Sequence, residues 1–125
     1  KVLTVNSIVM RDCCKCDEKA TASAALELMD KHSVPAVCIV GPNDRYQGTL
    51  TREAALAGAA SESLVGGLAS MDATVAPDAL IETLIARAAR VAHPIPVVDA
   101  DETLIGTVDH HSILLAIEGI QTGQD

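Results

Sequence analysis

The chain has no phenylalanine or tryptophan and only one tyrosine, Tyr46, among its 125 residues. Its core must therefore be aliphatic, and it lacks the aromatic platforms on which unstacked bases rest, which excludes the usual mode of single-stranded nucleic-acid binding. Basic residues are scarce in the second half. Residues 1–61 hold seven acids and seven bases, whereas residues 62–125 hold ten acids against Arg87 and Arg90, so the net charge of −8 resides there. Phosphate backbones and anionic lipid surfaces are repelled by such a surface, and neither nucleic acid nor strong direct membrane binding is expected. Also missing are a run of roughly 18 apolar residues that could span a bilayer and the charged-then-apolar start of a signal peptide. The expectation is a soluble, intracellular protein, and the start at Lys1 instead of Met suggests a fragment of something larger. With 49% apolar and 21% charged residues, disorder is excluded as well.

Cysteine is present but confined to Cys13, Cys14, Cys16 and Cys38. That clustering does not suit a disulfide framework, which staples distant loops, and it fits a reducing compartment. Two readings follow for Cys13, Cys14 and Cys16. Soft thiolates could hold zinc or copper(I), although the two-residue gap of zinc knuckles is absent, and His32 or Cys38 would have to complete the set. Alternatively Cys14 and Cys16 lie on the inner face of a short strand and pack as small hydrophobes, the reading we prefer.

What is present is a duplication. An offset of 59 residues superposes Ala22, Ala25, Leu26 and Met29 on Ile81, Leu84, Ile85 and Ala88. Both sets follow i, i+3, i+4, i+7, the apolar stripe of an amphipathic helix. The same offset lays Pro35-Ala36-Val37-Cys38-Ile39-Val40 on Pro94-Ile95-Pro96-Val97-Val98-Asp99, two β-rich runs entered through a proline that ends the preceding helix. The following turns then differ by one residue, after which an offset of 58 superposes Gly48-Thr49-Leu50 on Gly106-Thr107-Val108, and Ala55, Leu56 and Ala59 on Ile113, Leu114 and Ile117. Each unit reads strand, helix, strand, strand, helix. A unit of roughly 45 residues cannot bury a three-stranded sheet and two helices alone, so two should pack into one pseudo-twofold α/β (α+β) body. Residues 4–60 form repeat one, 61–72 a Gly- and Ser-rich linker, 73–118 repeat two and 119–125 a tail.

These residues resemble a tandem pair of cystathionine β-synthase (CBS) domains, a Bateman module, over residues 4–118. The second copy carries the fuller match, His93-Pro94-Ile95-Pro96-Val97-Val98-Asp99 followed by Leu104-Ile105-Gly106-Thr107-Val108. Together with Arg45-Tyr46-Gln47-Gly48 and Ile113-Leu114-Leu115-Ala116-Ile117, the pattern is similar to the carboxyl-terminal CBS pair of glycine betaine/L-proline ABC importer ATPase subunits. The resemblance implies a non-catalytic regulatory module and a homodimer of CBS pairs. It also implies partnership with the ATPase domain of the same chain and with a transporter permease, and a cytoplasmic position at the inner face of the membrane. The signal it implies is ionic strength or a small ligand. Two alternatives are an adenine-nucleotide sensor attached to another enzyme or standing alone, and a metal sensor built on the cysteines.

In that family the cleft between copies often binds adenosyl ligands through Gly-x-x-Thr/Ser-x-x-Asp, the hydroxyl meeting phosphate and the carboxylate the ribose diol. Here Gly48 and Thr51 are followed by Ala54 where the acid belongs, and Gly106 by Asp109 at the hydroxyl position and Ser112 at the acid position. Losing charge-assisted bonds to the diol costs about 1.5 to 3 kcal/mol, and Asp109 sets a negative charge where phosphate would lie. Thr51, Arg52, Asp109 and Ser112 therefore constitute a degraded nucleotide cleft, with weak adenine-nucleotide binding at most, Arg52 as a candidate phosphate partner, and no certain cofactor. The bland reading of Thr51 and Arg52 is a helix cap and a solvated charge. Asp109-His110-His111 is read as a helix cap with two exposed histidines, not as a metal-dependent phosphoesterase motif. His93 is read as a half-buried interface residue, and His32 as a helix-end cation. No nucleophile, base and orienting acid converge, so no catalytic residue is expected.

Overall fold

The computed structural model describes residues 3–12, 15–61, 63–71, 73–90 and 94–121. In the first copy β1 (Lys15–Asp17), β2 (Ala36–Val40) and β3 (Tyr46–Thr51) form one sheet, with β1 parallel and β3 antiparallel to the central β2. Helices α1 (Ala22–His32) and α2 (Arg52–Ala59) cover one face. α1 starts at Thr21, whose hydroxyl accepts from the Ala24 N–H at 3.2 Å, satisfying a donor the helix itself cannot. It ends at Ser33 in the left-handed region (φ 53°), with the Val34 N–H returning to Met29 O. Ala22, Ala25 and Met29 are fully buried, as their spacing predicts, and join Val37, Ile39, Leu50 and Ala55 in an aliphatic core.

The second copy repeats this plan with β4 (Ile95–Val98), β5 (Leu104–Val108), α3 (Ile85–Ala88) and α4 (His110–Gln121). Three expectations need correction here. Among the described residues its sheet has two strands, not three, because the counterpart of β1 is a single parallel bridge, Val75 to Val97. In the first copy the ladder continues through the Glu18 N–H, which donates to Val40 O at 3.0 Å. The equivalent residue is Pro77, which has no N–H to donate, and Pro96 removes another donor from the same edge of β4. The helix that precedes β4 opens as a tight turn, Ile81–Leu84, at about three residues per turn. Ile81, Leu84 and Ala88 still face the core, but Ile85 rotates outward to 47% exposure. Register supplies the third correction. Ile39 pairs with Gly48 as Val97 pairs with Gly106, so the offset is already 58 along the strands, and the one-residue difference precedes them instead of lying in the turn.

The segment read as a linker, 61–72, contains a turn Val65–Gly67 that belongs to the fold. Val65 is fully buried in the first copy's core, and the equivalent Val5, in the turn Val5–Ser7, is fully buried in the second copy's core. The bonds correspond one to one. The Val65 N–H donates to Ala20 O and the Val5 N–H to Ala79 O, each at 2.9 Å. Burying a valine completely contributes about 1.5 to 3 kcal/mol, which outweighs the flexibility that Gly66 and Gly67 suggest. Each copy thus lends its leading valine to the other.

The sheet faces turned away from the helices meet in a seam of Cys38, Val40, Tyr46, Val98 and Leu104. Arg45 and Thr103, which are equivalent residues, bridge each other there, and Arg45 ion-pairs with Glu102. A bridge between equivalent residues marks the pseudo-twofold axis.

Candidate functional site

Beside this seam lies a cavity of about 220 Å³ whose walls come from both copies. Met10 and Asp12 close one side, His32, Ala36 and Cys38 line the first copy's side, Pro94 precedes β4, and Thr49 and Thr107 face each other's copy from β3 and β5. The two threonines are equivalent, and at 6% and 5% exposure they are the buried polar side chains among the described residues. Their surroundings differ. The Thr49 and Tyr46 hydroxyls share a hydrogen bond of 2.6 Å, while the residue equivalent to Tyr46 is Leu104, so the Thr107 hydroxyl has no partner among the described residues.

Backbone geometry explains the glycines of the repeated motif. The Met10 N–H donates to Thr107 O at 2.8 Å, and the Thr107 N–H donates to Met10 O at 3.1 Å. A Cβ on Gly106 would stand 2.3 Å from Met10 O, so only glycine admits the segment. Ser70 makes the same pair of bonds to Thr49 (2.8 and 3.0 Å), and Gly48 beside it adopts φ 141°.

None of the four residues expected in the nucleotide cleft lines this cavity. Thr51 caps α2, its hydroxyl accepting from the Ala54 N–H at 3.3 Å. Arg52 is held by Asp30, tying α2 to α1. Asp109 accepts from the Ser112 N–H at 2.8 Å and so caps α4. His110 and His111 are exposed behind it. His32, at the end of α1, reaches the cavity wall, a placement that its helix-end reading did not include. The sequence reading passed over Thr49 and Thr107, two residues before Thr51 and Asp109. A hydroxyl recurring at one place in two apolar strands was the signal for them.

Cys13, Cys14 and His93 lie outside the described residues. Cys16 and Cys38 are buried, but adjacent register sends them to opposite faces, Cys16 among the α1 side chains and Cys38 toward the seam. Burial pushes the Cys16 thiol above its ordinary value of 9.0, and the neighbouring Asp17 carboxylate adds to the rise. A raised thiol is a poor metal ligand and nucleophile. Among the described residues no group of three histidine, cysteine or acidic side chains could hold a metal ion, and no helix is long and apolar enough to cross a membrane.

A second concavity, about 240 Å³, runs between α3 and α4 on the outer surface, lined by Ile85, Ala89, His110, Leu114 and Ile117. Leu114 at its rim is 63% exposed and the equivalent Leu56 56%. Their neighbours Ala55 and Ile113 take the core positions, and one residue further along a helix is a turn of about 100°.

This architecture recurs in solved structures. A CBS domain pair/ACT domain protein from Thermotoga maritima is similar with a TM-score of 0.84 at 22% identity, over 94% of this chain and 98% of that one. Staphylococcus aureus OpuCA is similar with a TM-score of 0.79 at 18% identity, over 90% and 97%. A CBS domain pair solved with 5′-methylthioadenosine and S-adenosyl-L-methionine has a TM-score of 0.78 at 16% identity, over 96% and 99%. Among curated proteins none matches this chain. The CBS domain family model matches twice, at residues 5–59 and 65–119, each match opening on one of the exchanged valines; the chain belongs to the CBS domain family, as a tandem pair.

Proposed function

We propose that this CBS pair is the non-catalytic regulatory module of an ABC importer ATPase subunit for compatible solutes, glycine betaine or proline. It adjusts transport in response to ionic strength or a small ligand. The observation that carries the reading is the position of Arg45-Tyr46-Gln47-Gly48, residues on which the resemblance to that importer family rests. Arg45 bridges the pseudo-twofold axis, Tyr46 fills the seam, and Gly48 admits the segment around Ser70. The likeness in fold to OpuCA supports the same parent. A module joined this way can exist in two arrangements of its halves, and a coupling of about 1 to 3 kcal/mol suffices to bias an attached ATPase.

Charge supplies the ionic-strength response. The acidic second half repels its like, and salt screens that repulsion over about 8 Å at physiological strength. The exposed Leu56 and Leu114, with the groove between α3 and α4, are the surface through which two copies pair. Light scattering against salt is the test. Association should rise with salt, Leu114→Asp should abolish it, and vesicles rich in anionic lipid should not bind, because the net charge of −8 lies in the second half and repels them. Association that falls with salt, or vesicle binding that salt disperses, overturns the self-screening mechanism. The reading frame upstream of Lys1 tests the parent, where a phosphate-binding loop is expected; another enzyme there would favour the nucleotide-sensing alternative.

The degraded nucleotide cleft of Thr51, Arg52, Asp109 and Ser112 enters this proposal as weak affinity for phosphorylated adenine ligands. Thr51, Asp109 and Ser112 are engaged in capping their own helices, and Arg52 is held by Asp30 of α1. The thiol environment of Cys16 and the opposite orientation of Cys38 give the metal-sensor alternative no support.

A further inference from the structure

We propose that the groove between α3 and α4 is a docking site for a basic amphipathic helix presented by a partner protein. The inference rests on the reading of this surface as the one through which the module associates, and it names the occupant that the groove takes while two acidic copies repel each other.

The two helix pairs, set side by side, locate the site. In the first copy Arg52 of α2 reaches Asp30 of α1 and clamps the pair together. The equivalent residues in the second copy are His110 and Ala89, and an alanine cannot join an ion pair. Both line the groove instead. Leu26 of α1 is partly buried against its core, whereas the equivalent Ile85 is 47% exposed at the groove. The hollow of about 240 Å³ therefore opens where the clamp has been lost, and Ile85, Leu114 and Ile117 give it an aliphatic lining. A cleft of this kind between two helices takes the apolar stripe of a third, whose anchors recur at i, i+3, i+4 and i+7.

Charge selects which helix. Glu82 stands three residues before Ile85, in a turn of about three residues, and Glu118 stands four residues after Leu114. Each thus shares the face of a groove residue, and both are exposed. Arg87 and Arg90, the bases of the second half, lie two and five residues from Ile85 and turn away from it. The rim is acidic around an apolar floor. A second copy brings the same acids to it, whereas a helix with lysine or arginine beside its apolar stripe is complementary on both counts.

Fluorescence anisotropy on the 125-residue chain tests this. The probe is a labelled helical peptide of about 14 residues, with leucine at i, i+3, i+4 and i+7 and lysine between, and its control carries glutamate in place of lysine. The lysine peptide should bind at one molecule per chain, about tenfold or more tighter than the glutamate peptide, and several-fold more weakly at about 200 mM salt than at about 50 mM. Leu114→Asp should abolish binding, and Glu82→Lys combined with Glu118→Lys should weaken it about tenfold. Ala89→Asp combined with His110→Arg rebuilds the first copy's clamp across the groove. It should abolish binding without lowering the melting temperature, which separates a closed groove from an unfolded chain. Equal binding of the two peptides, or binding that the rebuilt clamp leaves unaltered, overturns the proposal. A chain that pairs at low salt and excludes the lysine peptide also overturns it, with a second copy as the occupant. Absence of lysine-peptide binding does the same, and with the salt-dependent association intact that result leaves the regulatory reading standing. The peptide bound as expected by a chain whose association ignores salt has the opposite meaning.

Discussion

The two copies share a plan and differ in how completely each is finished. In the first, three strands, an eleven-residue α1 and the Thr49–Tyr46 hydrogen bond leave the polar groups of the seam paired. In the second, prolines reduce a strand to one bridge, the first helix shrinks to a tight turn and the four residues of α3, and Thr107 lacks its phenol. The difference teaches that duplication preserves what the partner copy needs, namely the lent valine and the glycine that admits the partner's backbone. What differs between the copies lies within each copy. The apolar groove falls where the second copy is least finished, whereas the cavity is lined mostly by residues of the first copy.

This comparison can be broken in several places. The largest effect is expected at the glycines. Gly106→Ala should destabilise by about 3 kcal/mol or more, since the new Cβ meets the Met10 carbonyl at 2.3 Å. Gly48→Ala should cost about 1 to 3 kcal/mol through its positive φ, its nearest contacts being at 3.1 Å. Urea midpoints rank the two, and a reversed order would show that the segment around Met10 yields more readily than the coordinates suggest. Next come the exchanged valines. Val5→Ala and Val65→Ala should each cost about 2 kcal/mol. Hydrogen exchange should quicken in β4 and β5 for the former and in β2 and β3 for the latter; exchange that quickens only in the substituted copy would refute the lending of cores.

A smaller difference is expected at the seam hydroxyls. Tyr46→Phe strands the Thr49 hydroxyl and should cost about 1 kcal/mol. Thr107→Val in the unliganded chain should be neutral or stabilising, because it removes a group that is already unpaired. Equal losses would mean that the two positions are alike after all. The smallest effect concerns Cys16, which has no ionisable equivalent in the second copy, where Val75 occupies its place. Its folded value is raised, so the folded chain retains a proton that the unfolded chain gives up. The stability this confers is complete below pH 9.0 and is lost as pH rises through that value toward the folded one. Cys16→Ala should flatten the alkaline side of the stability curve, and a curve of unchanged slope would place the thiol in contact with water.

Much of this was legible in the residues. The recurrent apolar spacing located Ala22, Ala25 and Met29, and Ile81, Leu84 and Ala88, in their cores, because helical period and burial are directly linked. It failed at Ile85, where a tight turn replaced the period on which the reading depended. Register was illegible because β2 and β4 are apolar on both faces, so alternation could not reveal a slip of one residue, and aligning Pro35 with Pro94 introduced it. Val65 was hidden by its setting, as glycine and serine report a flexible chain while a single valine reports nothing about which core it enters. The candidate site was the least visible part. An unpartnered hydroxyl is a relation between two copies, seen only when Leu104 is known to stand where Tyr46 does.

The crossing of Val5 into the opposite half alters how the amino end communicates. Whatever is fused ahead of residue 5 is mechanically attached to the more distant repeat, beneath β4 and β5, before the chain has built the nearer one. A tug or rotation delivered at that end arrives first at the cavity side bearing Met10 and Thr107. Residues 5–10 thus tie the amino end of the first copy to the second copy's core through Val5 and to β5 through Met10.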